Sequence, residues 1–256
     1  MLSFVVVKKK KRIRKTLSES SCIIANSYFT KNKIINLGIK SNKIKVIYPG
    51  VDMLNFSSEK NINYFKKYKN FKPILLTMAR LEKRKNHKKI IYAVHDLIKE
   101  FQNLLYLIAG DGPEMKKISK LIDKLNLKKN VKILGKVNER DKTFLFKISD
   151  LHVMPTILDK RSLSIEGFGI SYIEAGLYGI PSISSGLGGT KESVINGKTG
   201  IICNPNNVSS IKDSIKKVLI NKKMYKKLSV NSKNFSKKFL WKNIIKNYLN
   251  LIKKDF

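Results

Sequence analysis

From residue 71 onward the chain alternates short apolar runs with amphipathic stretches. The runs are PILLTMA (73–79), LLYLIAG (104–110), VKILG (131–135), DLHVMP (150–155), PSISS (181–185) and TGIIC (199–203). Each has the length of a buried strand. The stretches between them, 86–101, 113–126, 139–149 and 170–179, have helical spacing. In the first, Ile90, Ile91, Val94, Leu97, Ile98 and Phe101 recur three and four apart, on one helix face. This alternation predicts an α/β fold with a doubly wound, mainly parallel sheet.

Residues 1–50 read as a different piece. They hold one basic helix, the strand SCIIANS (21–27), a helix around 30–37 and the strand KIKVIYPG (43–50). That is too little for an independent sheet domain. The polar stretch 51–70 reads as a linker, 71–239 as the α/β domain, and 240–256 as a closing helix. In that helix Trp241, Ile244, Ile245, Tyr248, Leu249 and Ile252 form one apolar face. No apolar run reaches the roughly 18 residues of a membrane span.

Composition changes this picture only in part. The chain has 256 residues, 53 Lys+Arg and 18 Asp+Glu, a formal charge of +35. Such a charge suggests a nucleic-acid binder. Yet 47 of the basic residues are Lys and only 6 are Arg, and Asn (23) and Ile (33) are also abundant. Lys, Asn and Ile share A/T-rich codons, and a phosphate or base reader favours the Arg fork. Solvated Lys on helix faces and turns is the better reading, and no nucleic-acid partner is expected. The dense cluster KKKKRIRK (8–15) has two readings, a solvated helix face and a contact with an anionic membrane surface. The first is preferred. Cys22 and Cys203 are too few for a disulfide scaffold, which points to a reducing, cytoplasmic setting.

In an open α/β sheet, ligands bind beyond the carboxyl ends of the strands. RLEKRKNH, GDGPE, GKVNE, PTILDKRSLSIEGFGISYIEA and SGLGGTKE follow successive strands there. Arg80 and Lys85, five residues apart across a turn, suit an anionic ligand and could grip two phosphates. In EGFGISYIE, the amides of Phe168, Gly169 and Ile170 fall at a helix start, where free N–H groups and the dipole favour phosphate. Gly167 and Gly169 permit close backbone approach. Glu174, about one turn into that helix, can accept from a pair of sugar hydroxyls. Glu166 can reach another part of the same ligand. GLGGTKE (186–192) reads equally as a tight connection or as a loop closing over the ligand. In GDGPE, Pro113 suits the first helical position and Glu114 the first turn. His87, His95 and His152 lack metal-ligand spacing, and no Walker loop or serine-nucleophile elbow is present.

The order of these motifs resembles the retaining glycosyltransferases of family 4, of GT-B architecture with two Rossmann-like domains. ARLEKRKNH resembles the family's G-R-L-x-x-x-K-G stretch, with Ala79 and Asn86 in place of glycines. AGDGPE, SDLHVMPT, EGFGISYIEAGLYGIPSI, GGTKE and NGKTGIICNP follow in the family's order, with Glu166 and Glu174 forming E-x7-E. DKRSLSIEGFGI is similar to the loop of lipid-directed mannosyltransferases. ANSYFTK through KIKVIYPGVD resembles the end of the first domain and the crossover, and the tail from Trp241 the helix that crosses back. The resemblance covers nearly the whole chain but only about two-thirds of the usual enzyme, so the acceptor-binding domain is expected as a stub. It implies a nucleotide-diphosphate sugar donor, a glycan or lipid-linked acceptor, retention at the anomeric carbon, and no metal or other cofactor. It also allows a separate chain to supply the missing domain. It gives Arg80 and Lys85 the diphosphate, Glu174 the ribose, Glu166 with the 168–170 amides the sugar and phosphate, and Val137 the base through backbone.

Overall fold

The computed structural model describes residues 2–53 and 68–255. The two early strands, β1 (Ile23–Ala25) and β2 (Ile44–Val46), pair in parallel. The six later runs become β3 (Ile74–Met78), β4 (Leu105–Ala109), β5 (Val131–Gly135), β6 (Leu151–Val153), β7 (Ser182–Ser184) and β8 (Gly200–Ile202). They form one parallel sheet in the order β5-β4-β3-β6-β7-β8. The order runs outward from β3 through β4 to β5, then restarts beside β3 with β6. The topological switch therefore lies between β3 and β6, where an open sheet leaves its ligand crevice.

The continuous apolar runs are explained by burial on both sheet faces. Successive side chains of β3 and β4 alternate between two cores. Leu75, Tyr106 and Ile108 pack with α3 (His87–Leu97), α4 (Met115–Lys124) and α8 (Val208–Ile220). Ile74, Leu76, Leu105, Leu107 and Ala109 pack with α5 (Glu139–Ile148) and Ala175 of α6 (Ile170–Leu177). α4 begins later than GDGPE suggests. Pro113 stands before the helix and Glu114 is its N-cap, because the Glu114 amide donates to the Leu81 carbonyl at 3.0 Å.

The first unit consists of α1 (Leu2–Glu19), β1, α2 (Tyr28–Ile35) and β2, around Ile23, Ala25, Ile39 and Ile44. Residues 11–16 of α1 are exposed. The unit is joined to the sheet domain where Ile47 and Val51 pack with Phe168, Ile173, Leu177 and Phe239. Val51 donates to the Phe239 carbonyl at 2.9 Å and accepts from the Trp241 amide at 3.1 Å. Tyr68 is buried against the second core. The rest of the polar stretch, 54–67, lies outside the described residues.

α7 (Thr190–Ser193) and α9 (Lys222–Ser236) precede α10 (Trp241–Asp255). The apolar face of α10 is divided. Ile244 is buried, with Tyr248 half-buried beside it, whereas Trp241, Ile245, Leu249 and Ile252 are exposed. Among the described residues no helix is long and apolar enough to cross a membrane.

Candidate functional site

After β3 the chain makes a pinned turn. Leu81 is fully buried, and its amide donates to the Asp111 carbonyl at 2.9 Å. A 3-10 turn over Lys83–Lys85 leads to Asn86, whose φ of 62° starts α3 in the left-handed region. That conformation is why a glycine would fit there, and Asn is the next most tolerant residue. The Asn86 amide is further held by the carbonyls of Pro155 (3.0 Å) and Pro205 (2.8 Å).

The turn sends Arg80 outward and Arg84 and Lys85 inward. The Arg80 side chain is 75% exposed and lies 3.5 Å from Glu82. The Lys85 side chain is only 9% exposed. Its Nζ and Arg84 Nη1 each donate to Glu166 Oε2 at 2.5 Å, and Arg84 Nε donates to Glu82 at 2.9 Å. Glu166 Oε1 has no hydrogen-bond partner among the described residues. Burial raises the Glu166 carboxyl, but Lys85 and Arg84 overcome it and hold the group below the usual carboxylate range. Burial lowers the Lys85 ammonium, and Glu166 opposes that shift without cancelling it. Arg84 was not singled out from the sequence. In a Lys- and Arg-rich turn nothing local distinguishes the residue that faces inward.

Two glycine-rich turns lie back to back at this point. The Gly189 amide donates to the Glu166 carbonyl at 2.9 Å, and a Cβ on Gly189 would sit 1.9 Å from the Gly167 carbonyl oxygen. GLGG therefore packs directly against EGFG. Ser193 Oγ donates to the Phe168 carbonyl at 2.7 Å. Gly169, at φ 94°, turns the chain into α6. The amides of Phe168, Gly169 and Ile170 have no hydrogen-bond acceptor among the described residues. A cavity of 250 Å³ at this helix start is lined by Asn26, Lys85, Glu166, Phe168, Gly169 and Ile170.

Glu174 and Arg80 line a second cavity, of 480 Å³, with Val137, Gly110 and Lys142, and Met78 borders both cavities. The structure thus separates the predicted cation pair: Lys85 stands beside Glu166, and Arg80 on the side of Glu174 and Val137. Lys142 Nζ donates to Glu174 at 2.7 Å. Burial lowers the Lys142 ammonium, but hydrogen bonds to Glu139 and Glu174 outweigh it and raise the group overall. Lys142 was also missed, because a Lys on an amphipathic helix in this composition carries no local signal.

The histidines stand outside this chemistry. Burial and the charge of Lys85 push His87 down to about 4 and His152 down to about 3, so both are neutral. His95 is paired with Asp96 at 3.5 Å, along α3. Among the described residues no group of three His, Cys, Asp or Glu side chains could hold a metal.

A six-stranded parallel sheet with acidic and basic groups at its switch point has known counterparts. Residues 57–235 match the family described as glycosyl transferases group 1, and residues 3–53 that described as glycosyltransferase family 4. The chain belongs to the glycosyl transferases group 1 family. It is 22% identical over 206 residues to the GDP-mannose-dependent alpha-(1-6)-phosphatidylinositol monomannoside mannosyltransferase of Mycolicibacterium smegmatis, covering 79% of this chain and 54% of that one. It is 28% identical over 181 residues to the 2-deoxystreptamine N-acetyl-D-glucosaminyltransferase of Niallia circulans, covering 70% and 45%. The chain spans about half the length of the curated relatives it matches. Anabaena HepE in complex with UDP-glucose is similar in structure, with a TM-score of 0.84 and 21% identity over 96% of this chain and 68% of that one. The fold is thereby that of GT-B glycosyltransferases.

Proposed function

We propose that this chain carries the donor side of a retaining hexosyltransferase. It moves a hexose from a UDP- or GDP-sugar to a glycan or lipid-linked acceptor. The observation that supports this best is Glu166, a carboxylate shared by Lys85 and Arg84 beside the unpaired amides that open α6. Arg80, Arg84 and Lys85 against Glu82 and Glu166 leave one positive charge in excess for a diphosphate. The helix start adds N–H donors and its dipole. When the anomeric C–O bond breaks, its electron pair leaves with the diphosphate, and Lys85 and Arg80 stabilise the growing charge. Glu166 Oε1 accepts from a sugar hydroxyl. Glu174 accepts from the ribose hydroxyls, with Lys142 holding it in place, and the backbone at Val137 meets the base. Mannosyl transfer from GDP-mannose by one relative, and UDP-glucose on HepE, are compatible with either donor.

Calorimetry with UDP-glucose and GDP-mannose tests this. Arg80→Ala and Glu174→Ala are each expected to weaken binding at least tenfold, about 1.4 kcal/mol. Undiminished affinity overturns the site. A second reading is a nucleotide-sugar-binding unit that is not catalytic by itself, since the chain spans about half the length of the relatives it matches. It predicts saturable donor binding without transfer or donor hydrolysis by the purified chain.

A further inference from the structure

Asn26 belongs to the first unit, yet it lines the same 250 Å³ cavity as Lys85, Glu166 and Gly169. We infer that Asn26 is a sugar-contacting residue, whose side-chain amide donates a hydrogen bond to the hexose held at Glu166. The inference rests on the donor site proposed above and adds to it a contact from the other structural unit.

The side chain is held at its oxygen and free at its nitrogen. Asn26 Oδ1 accepts from Thr30 Oγ1 at 2.7 Å. Asn26 Nδ2 has no acceptor among the described residues. The helix does not need this group, because Ser27 is the N-cap of α2 and accepts from the Thr30 amide at 3.0 Å. A Cβ on Gly167 would lie 3.2 Å from Asn26 Nδ2, so the glycine leaves the amide its space.

Its position is fixed from two sides. Ser27 Oγ donates to the Gly167 carbonyl at 2.6 Å. The Glu192 carboxylate accepts from the amides of Tyr28 at 2.8 Å and Phe29 at 2.9 Å, and from Tyr48 Oη at 2.9 Å. Both glycine-rich turns thus grip the start of α2 and present Asn26 to the cavity. A free amide donor and the free Oε1 acceptor of Glu166 face one small space. Neighbouring hydroxyls of a pyranose, which donate and accept alternately, match that pair.

The test compares each nucleotide with its sugar by calorimetry: UDP with UDP-glucose, and GDP with GDP-mannose. Asn26→Ala is expected to remove the added affinity due to the sugar, roughly three- to tenfold for a neutral hydrogen bond, while nucleotide affinity stays unchanged. Asn26→Ser gives the same readout should the alanine variant fail to fold. An unchanged sugar contribution, or equal losses for nucleotide and nucleotide sugar, overturns the Asn26 assignment alone. If the unaltered protein binds neither nucleotide sugar, the donor site itself is wrong and the Asn26 contact falls with it.

Discussion

Two bonds of 2.5 Å to one oxygen make Glu166 the most constrained charged residue of the cleft. Its folded carboxyl lies below the unfolded value, so ionisation stabilises the fold above the unfolded pKa. That stability is lost as pH falls through the folded value. Glu166→Gln, which leaves buried Lys85 without its carboxylate partner and Arg84 with Glu82 alone, is expected to cost about 1–3 kcal/mol near neutral pH. The gap to the unaltered protein should narrow below about pH 4. Urea unfolding at several pH values measures this, and a pH-independent gap would contradict it. Lys85→Met is expected to weaken UDP or GDP binding by roughly 10- to 100-fold, the range of a charged hydrogen bond. Arg80, Lys85, Glu166 and Glu174 were legible because each follows a strand run or opens a helix pattern. The placements of Arg84, Lys142 and Asn26 were not, because they come from which way a turn or neighbouring unit faces them.

At the scale of elements, the joint between the first unit and the sheet domain is a carboxylate on a helix start. Glu192 meets two free amides of α2, where its charge also complements the helix dipole. Glu192→Ala is expected to destabilise the protein by about 1–3 kcal/mol. Faster hydrogen exchange should be confined to the amides of Tyr28 and Phe29 and their neighbours, with protection in β3 and β4 unchanged. Gly189→Ala is expected to cost about as much, because its Cβ would meet backbone rather than a movable side chain. Its loss of stability should come with weaker donor binding, since the displaced partner is the 167–168 backbone.

For the whole molecule, the charge of +35 is the largest unbalanced quantity. Most of the lysines stand on the surface, where like charges repel and salt screens them. The melting temperature is therefore expected to rise between low salt and about 0.5 M salt, where screening acts within a few ångströms. DNA binding is expected to be weak and not to compete with nucleotide sugar, and tight binding displaced by UDP-glucose would contradict the reading of the charge as a compositional bias.

The sequence by itself determined the strands, the helices between them and the edge on which the glycines and charges collect. It could do so because hydrophobic period and turn chemistry are local. It also carried the E-x7-E pair, whose spacing lies within one loop and helix. Only the tertiary structure decided which cation meets which carboxylate, that one glycine-rich turn backs the other, and that Asn26 reaches the cavity from a separate unit. Those contacts join residues up to 164 positions apart, as Tyr28 and Glu192 are. No local pattern records a meeting that only packing brings about.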